Sequence, residues 1–263
     1  MDLGLTNKSV VVTGGNRGIG RGIALAFARE GANVAIVGRD TDALAKVKAE
    51  IEAIGVKAHA IAADLFTAEG CERAVNETAD TFGGLDVLVN NASTSISGTL
   101  ETLTDDQLME RLSGKTLAYM RCCRAALPWF RKPGGGRVIC IGGSAARAAG
   151  KASLPSGLGN SSLTNFAKHF SNDVAPENIT VNVVHPPFTK TDRYPARLEA
   201  RAKELGGTLA ETEASFAADF PIGRIVEPDD IAPLTLFLAS PHAAAITGQA
   251  ISVDGGATSG VFY

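Results

Sequence analysis

The sequence lacks the features that would direct a protein to a membrane or a nucleic acid. Its net charge is −3, from 25 basic and 28 acidic residues among 263, so we expect no broad positive surface for an anionic polymer. No apolar run is long enough to span a bilayer, and the first ten residues do not resemble a secretory signal. We therefore expect no nucleic acid and no membrane as partner, and a cytoplasmic location.

Cysteine is also scarce, and the four cysteines lack metal-ligand spacing. Cys122 and Cys123 are adjacent on a helical pattern and cannot easily pair with each other, whereas Cys71 and Cys140 stand apart. We therefore expect reduced thiols packed in the core and no metal site.

What the chain does have is a regular alternation of β-branched, strand-like runs and amphipathic helical segments. Strands are predicted at 9–13, 33–37, 57–61, 86–89, 137–141, 179–184 and 250–253. Helices are predicted at 18–30, 41–54, 67–82, 104–130, 162–174 and 229–239. Such alternation places parallel strands between two layers of helices. We predict an α/β fold, with a doubly wound parallel sheet in a single Rossmann domain over residues 1–263.

The least regular segment is 188–220, where charged, alanine-rich helical turns lie between helix-breaking residues. A segment of this kind at the carboxyl end of a parallel sheet is well placed to form a substrate lid over a ligand crevice. Its composition fits a solvated surface hairpin equally well.

The first predicted strand runs into a glycine-rich turn with Gly14, Gly18 and Gly20, and an amphipathic helix follows. Glycines at this spacing let the backbone approach a ligand closely, and the free N–H groups of the following helix favour a pyrophosphate. The sequence therefore predicts a dinucleotide cradle. A tight strand-to-helix turn without a ligand is the alternative.

Further motifs follow in an order that resembles the classical short-chain dehydrogenase/reductase family of oxidoreductases. They are TGGNRGIG at 13–20, Asp64 after the third strand, NNA at 90–92, VNVVHP at 181–186, ITG at 246–248 and VDGG at 253–256. The resemblance covers nearly the whole chain. It implies a nicotinamide dinucleotide, a small-molecule substrate and a homo-oligomer, either a tetramer or a dimer.

The resemblance also assigns the positions that contact the dinucleotide. They are Gly14, Asn16, Arg17, Gly18, Ile19, Gly20, Arg39, Asp64, Leu65, Asn91, Ala92, Asn160, Pro186 and Thr189. The second strand ends at Gly38 and Arg39, without the carboxylate that would bind a free ribose 2′-hydroxyl. Arg17 adds a second guanidinium, which suits a 2′-phosphate. This pattern favours NADP(H) over NAD(H), unless both arginines are ordinary surface charges.

The catalytic positions of the family are not matched. The family uses a Tyr as general acid and a Lys four residues later, and here Ser156 and Asn160 stand at these two positions. Tyr119, Tyr194 and Tyr263 also have no lysine four residues later. A serine hydroxyl cannot replace a phenol as a general acid near neutral pH, so the family mechanism does not carry over directly.

Two more family positions differ. The family's substrate-binding Ser falls on Gly143, next to Ser144, and its Asn on the long helix falls on Lys115. Our hypothesis is that Lys115 is the acid/base or oxyanion-stabilising group, since desolvation would lower its pKa towards neutrality. Asn160 would bind the ribose, and Ser144 or Ser156 would lie near the substrate. The alternatives for Lys115 are a lysine that reaches solvent and a purely structural role.

Three functions fit these observations. The first is an NADP(H)-dependent oxidoreductase with an atypical acid/base site, acting on a small, largely apolar carbonyl or alcohol. The second is an inactive NADP(H)-binding sensor or oligomer partner, and the third is a non-redox lyase or isomerase that uses Lys115.

Tyr194, in the 188–220 segment, is a candidate substrate contact. We expect His185 to be a neutral, hydrogen-bonded histidine beside the cofactor loop.

Overall fold

The computed structural model describes residues 1–260, so Tyr263 lies outside the described residues. Seven strands form one sheet. They are β1 (Ser9–Thr13), β2 (Asn33–Gly38), β3 (Ala58–Ala62), β4 (Val87–Asn90), β5 (Gly136–Ile141), β6 (Ile179–His185) and β7 (Ala250–Ser252). Their order is β3-β2-β1-β4-β5-β6-β7, and every neighbouring pair is parallel. The predicted α/β fold with a doubly wound parallel sheet is confirmed.

Helices cover both faces of this sheet. They are α1 (Gly18–Arg29), α2 (Thr41–Ala53), α3 (Ala68–Phe82), α4 (Asp105–Leu112), α5 (Ala118–Arg131), α6 (Leu154–Val174), α7 (Tyr194–Leu205), α8 (Leu209–Ala218) and α9 (Pro228–Ala239). Side chains alternate across a strand, so Val10 and Val12 pack with α1 and α9 while Val11 packs with α3 and α5. The strand order diverges at β1 and β4, which places the ligand crevice at their carboxyl ends.

The helix predicted at 104–130 is interrupted. A π-helical turn at Ser113–Leu117 separates α4 from α5 and contains Lys115. Gly114 lies against the ring of Phe66, where an added Cβ would stand 2.6 Å from Cζ. Apolar periodicity does not detect a single wide turn, because the pattern resumes on both sides of it.

The helix predicted at 162–174 begins earlier, at Leu154, and therefore includes Ser156 and Asn160. Pro155 in its first turn suits a helix N-terminus, because proline lacks the N–H that this turn leaves unpaired. Gly157 and Gly159 weaken the helical pattern in the sequence, which is why the prediction started too late.

The 188–220 segment forms α7 and α8, which pack around an aromatic cluster of Phe188, Tyr194 and Phe216. The ring centroids are 5.3 to 6.4 Å apart.

All four cysteines are buried and unpaired, as predicted. Over residues 1–260, no helix combines the length and apolarity needed to cross a bilayer.

Candidate active site

The glycine turn between β1 and α1 is held in one conformation. Asn91, just after β4, donates from Nδ2 to the carbonyl oxygens of Thr13 and Gly14 at 3.0 and 3.2 Å. An added Cβ at Gly20 would stand 2.2 Å from the oxygen of Gly14 and 2.4 Å from Nδ2 of Asn91. Gly14 itself has a φ of 64°, which glycine adopts without strain. The turn is therefore a rigid, open cradle at the start of a helix.

A cavity of about 330 Å³ lies beside this cradle at the carboxyl ends of β1, β2 and β4. The predicted cofactor residues that line it are Gly14, Asn16, Arg17, Arg39, Asp64, Leu65, Asn91 and Ala92. Within residues 1–260, neither Arg17 nor Arg39 forms an ion pair. Asp64 accepts a hydrogen bond from the N–H of Phe66 at 3.1 Å, so its carboxylate orders the loop after β3. The open cradle and two unpaired guanidinium groups fit a dinucleotide that carries a phosphate on its adenosine ribose.

The remaining predicted cofactor residues lie around this cavity. Ile19 and Thr189 border an adjoining opening that Gly18 also lines, and Pro186 lines a further cavity described below. The N–H of Gly18 donates to Oδ2 of Asp192 at 2.9 Å, which links the cradle to the segment before α7.

A second cavity, of about 250 Å³, adjoins the first and shares Asn91, Ser93, Thr94 and Arg193 with it. Its other lining residues are Ile19, Ser95, Arg111, Lys115, Ile141, Gly142, Ser156, Pro186 and Arg197. Two of the four predicted catalytic residues, Lys115 and Ser156, are therefore brought together here.

Lys115 is buried at the floor of this cavity, with 2% of its surface exposed. Its Nζ donates to the carbonyl oxygen of Ile141 at 2.8 Å and to that of Gly142 at 3.2 Å. Burial lowers the pKa of Lys115 to about 7, and the positive charge of Arg111 adds to this effect. The alternative that Lys115 extends into solvent is wrong, because the π-helical turn points its side chain at the end of β5.

The lowered pKa makes the stability of the protein depend on pH. A lysine ordinarily titrates at 10.5, so the unfolded chain binds this proton more tightly than the folded protein between pH 7 and 10.5. The stability from this residue is lost as the pH falls through that range, by about 1.4 kcal/mol per pH unit. We expect the unfolding free energy of the wild type to gain about 1.4 kcal/mol over that of Lys115→Met between pH 7.5 and 8.5, in urea denaturation. A difference independent of pH would contradict the lowered pKa.

His185 is buried at the end of β6 and is neutral, as expected. Its Nδ1 accepts from the N–H of Gly143 at 2.9 Å, so the proton of the neutral ring lies on Nε2, 3.2 Å from Oγ1 of Thr164. Burial lowers the pKa of His185 to about 4, with contributions from the charges of Arg147 and Lys115. His185 therefore orders the loop after β5 and does not face the cavity as an acid.

Asn160 is 3% exposed, and its Oδ1 has no hydrogen-bond partner. Its Nδ2 faces Gly143, where an added Cβ would stand 2.6 Å away. A buried amide oxygen without a donor is costly, and a ligand hydroxyl would satisfy it. Asn160 lines neither of the two cavities, so the ribose role that the sequence predicts stays a prediction.

Two predicted residues lie elsewhere. Ser144 begins a short turn after β5, where its N–H donates to the carbonyl oxygen of Pro186 at 2.9 Å, and it does not line the second cavity. Tyr194 is 4% exposed, and its ring packs in the aromatic cluster of the 188–220 segment. The mechanism below uses neither residue: Ser144 lies outside the second cavity, so its role stays a prediction, and apolar packing withdraws Tyr194.

Sequence reasoning missed three arginines of the second cavity: Arg111, Arg193 and Arg197. Arg111 is 5% exposed, and its Nη1 donates to Oγ of Ser93 at 2.6 Å and to the carbonyl oxygen of Thr94. Burial lowers its pKa. Two features of the sequence could have indicated Arg111. It stands one helical turn before Lys115, and Ser93, its hydrogen-bond partner, replaces the glycine of the family motif.

The comparisons with known proteins agree with this architecture. A family model described as enoyl-(acyl carrier protein) reductase matches residues 14–258. NADPH-dependent reductase BacG of Bacillus subtilis is 31% identical, over 96% of this chain and 98% of that protein. The uncharacterized oxidoreductase MT0954 of Mycobacterium tuberculosis is 32% identical, over 97% of this chain and 93% of that protein.

A solved structure is also similar over its whole length. L-Sorbose reductase from Gluconobacter frateurii, in complex with NADPH and L-sorbose, has a TM-score of 0.95 and 31% identity, and the match covers 99% of this chain and 100% of that one. The fold, the glycine cradle and these matches show that the chain belongs to the short-chain dehydrogenase/reductase family of oxidoreductases.

Proposed function

We propose that the protein is an NADP(H)-dependent oxidoreductase that interconverts a small carbonyl compound and its alcohol, with Lys115 as the proton donor and acceptor. It would be a divergent family member, since it lacks the Tyr-x-x-x-Lys signature. One observation carries the proposal: Lys115 is buried in the cavity beside the dinucleotide cradle and has a pKa of about 7.

The cofactor assignment rests on charge. Arg17 and Arg39 line the larger cavity and would hold the 2′-phosphate. Asn160 lines neither cavity, so a role on the nicotinamide ribose would require its side chain to turn towards the cofactor. L-Sorbose reductase and BacG are described as NADPH-bound and NADPH-dependent, which supports the same preference here. NADPH, when bound, supplies the hydride that reduces the carbonyl carbon.

Lys115 supplies the other half of the reaction. An amine with a pKa near 7 exchanges a proton readily at neutral pH, which is the property of an efficient general acid. In reduction, its Nζ donates a proton to the carbonyl oxygen, which becomes the alcohol hydroxyl, and a proton from water restores the ammonium. In oxidation, the neutral amine accepts the proton of the alcohol. The carbonyl oxygens of Ile141 and Gly142 hold Nζ in place in both directions.

The other polar groups would orient the reactants. The half-buried hydroxyl of Ser156 lines the cavity and can donate to the substrate oxygen. The 188–220 segment contributes Arg193 and Arg197 to the same cavity, so we propose that it acts as the lid. Closure would exclude water and strengthen the charge interactions around Lys115.

The test is turnover with both nicotinamide cofactors. Purified protein is incubated with NADPH or NADH and a panel of small ketones, aldehydes and keto acids, and the absorbance of the reduced nicotinamide is followed. Loss of absorbance with NADPH supports the reductase. Tight NADPH binding without turnover of any compound, or of the corresponding alcohols with NADP+, would support the inactive binding protein instead.

The cofactor preference gives a separate prediction. Replacing Arg39 with Ala removes a charge from the 2′-phosphate site, so we expect the Kd of NADPH to rise about tenfold and that of NADH to stay unchanged. Fluorescence of the bound reduced nicotinamide measures both constants. Arg29→Ala, at the exposed end of α1, is the matched control and should bind both as the wild type does. A wild type that prefers NADH would refute the argument.

A further inference from the structure

We propose, on the basis of the proposed reductase function, that the substrate is an anionic carbonyl compound whose carboxylate or phosphate group binds between Arg111 and Arg197. A buried guanidinium without a counter-ion, the positive charges around the second cavity and the position of Arg197 support this assignment.

Arg111 is the first observation. Its side chain is buried, and among residues 1–260 it has no carboxylate partner. Its two recorded acceptors, on Ser93 and Thr94, are neutral, and its Nε has none. Burying an unpaired cation is strongly unfavourable, and a guanidinium is best neutralised by an oxyanion that accepts two parallel hydrogen bonds. A bound anion would supply the missing charge.

The charges of the whole cavity point the same way. Three arginines and Lys115 line it, and its lining includes no aspartate or glutamate. Burial is the main cause that lowers the pKa of Lys115 and of Arg193, and neighbouring cations add to it: Arg111 acts on Lys115, and Arg17 and Arg197 act on Arg193. A neutral substrate would leave this repulsion in place, whereas an anion would reduce it.

Arg197 provides the movable side of the site. It lies in α7 one turn after Arg193, and its guanidinium is exposed, with Cζ 5.6 Å from the ring centroid of Phe188. Arg193 also borders the dinucleotide cavity, whereas Arg197 does not line it. Arg197 also lines the adjoining opening that Gly18, Ile19 and Thr189 border, so it lies where that opening meets the second cavity. Its exposed guanidinium can turn towards an anion in the second cavity. This lining departs from the sequence-based expectation of a largely apolar substrate.

Matched pairs of compounds test the proposal. Acetoacetate is compared with methyl acetoacetate, and dihydroxyacetone phosphate with dihydroxyacetone, as substrates for NADPH oxidation. We expect kcat/KM to be at least about tenfold higher for one anion than for its neutral partner, and this preference to fall at least about tenfold in Arg197→Gln. A preference within the first pair indicates a site for a carboxylate, and a preference within the second pair indicates a site for a phosphate. Arg201→Gln, an exposed site on the same helix outside the cavity lining, is the control and should keep the preference.

Binding is measured separately, so that the outcome does not depend on turnover. The NADP+-loaded protein is titrated with acetoacetate and with dihydroxyacetone phosphate by calorimetry, and we expect a Kd below about 1 mM for one of them. Anion binding that Arg197→Gln weakens, without any NADPH oxidation, would support the anion site and refute the reductase. Equal reduction of acid and neutral partners would overturn the anion site and leave the reductase standing. Absence of saturable binding for both anions would also overturn it.

Discussion

We expect replacement of Lys115 with Met to lower kcat/KM for carbonyl reduction by about 10²- to 10⁴-fold, which is the contribution of a positioned proton donor. Methionine has nearly the length of lysine but no proton to give. The variant should still fold, because Tyr119 also donates to the carbonyl oxygen of Ile141, at 3.1 Å. The loss of the bond to Gly142 costs about 1 kcal/mol, and the removal of a buried ammonium offsets it.

Three measurements identify the cause of this loss. Thermal unfolding at pH 7, where the wild type still holds part of the buried charge, should show a melting temperature no lower than that of the wild type, and the Kd of NADPH should change far less than kcat. Lys46→Met, on the exposed side of α2, should behave as the wild type in every assay. Unchanged turnover and NADPH affinity in Lys115→Met would exclude Lys115 from the mechanism.

The pH dependence of the wild type follows from the same group. In the proposed mechanism reduction requires protonated Lys115, so kcat/KM should be constant below pH 7 and fall tenfold per unit above it, in line with its pKa of about 7. Oxidation requires the neutral amine, so kcat/KM for oxidation should rise with pH up to about 7 and be constant above it. Lys115→Met should lack this titration in its residual activity.

Replacement of Gly20 with Ala should have the second large effect. The new Cβ would lie 2.2 Å from the oxygen of Gly14 and 2.4 Å from Nδ2 of Asn91. Neither atom can withdraw easily, since Asn91 holds the turn through two carbonyl oxygens. We expect a loss of about 3 kcal/mol in unfolding free energy and of at least about 100-fold in NADPH affinity.

Urea denaturation and NADPH titration measure the two effects of this substitution. Gly84→Ala is the matched control, because an added Cβ at that position meets no atom within 4 Å and the backbone is not in the left-handed region. It should leave NADPH affinity unchanged. Wild-type affinity in Gly20→Ala would show that the cradle is not where the cofactor binds.

Most of the fold could be predicted from the sequence. Strands such as β1 and β2 contain continuous apolar runs, at 10–12 and 34–37, that are followed closely by glycine, and burial leaves such a run few alternatives. The errors fall where local and tertiary preferences compete. The start of α6 was placed too late because of its glycines, and the π-helical turn around Lys115 was invisible to periodicity.

The site was less predictable than the fold. Motif spacing located the cradle, Arg39 and Lys115, because these positions are fixed relative to strand ends. It did not predict that Lys115 donates a hydrogen bond to the end of β5, nor that Arg111 is buried. Both depend on how α4 and the π-helical turn pack against the sheet. Nothing in the sequence distinguishes Arg193 and Arg197 from the other charged residues of the 188–220 segment, because only the tertiary fold brings them to the cavity.

The contact between Gly143 and Asn160 restricts the order in which this site could have changed during evolution. Any side chain at position 143 would place its Cβ 2.6 Å from Nδ2 of Asn160, so the Asn160 amide must move before a larger residue can enter. The two positions are therefore coupled, and the effect of a substitution at one depends on the residue at the other. A serine at position 143 is therefore accommodated only if the Asn160 amide turns away or residue 160 changes with it.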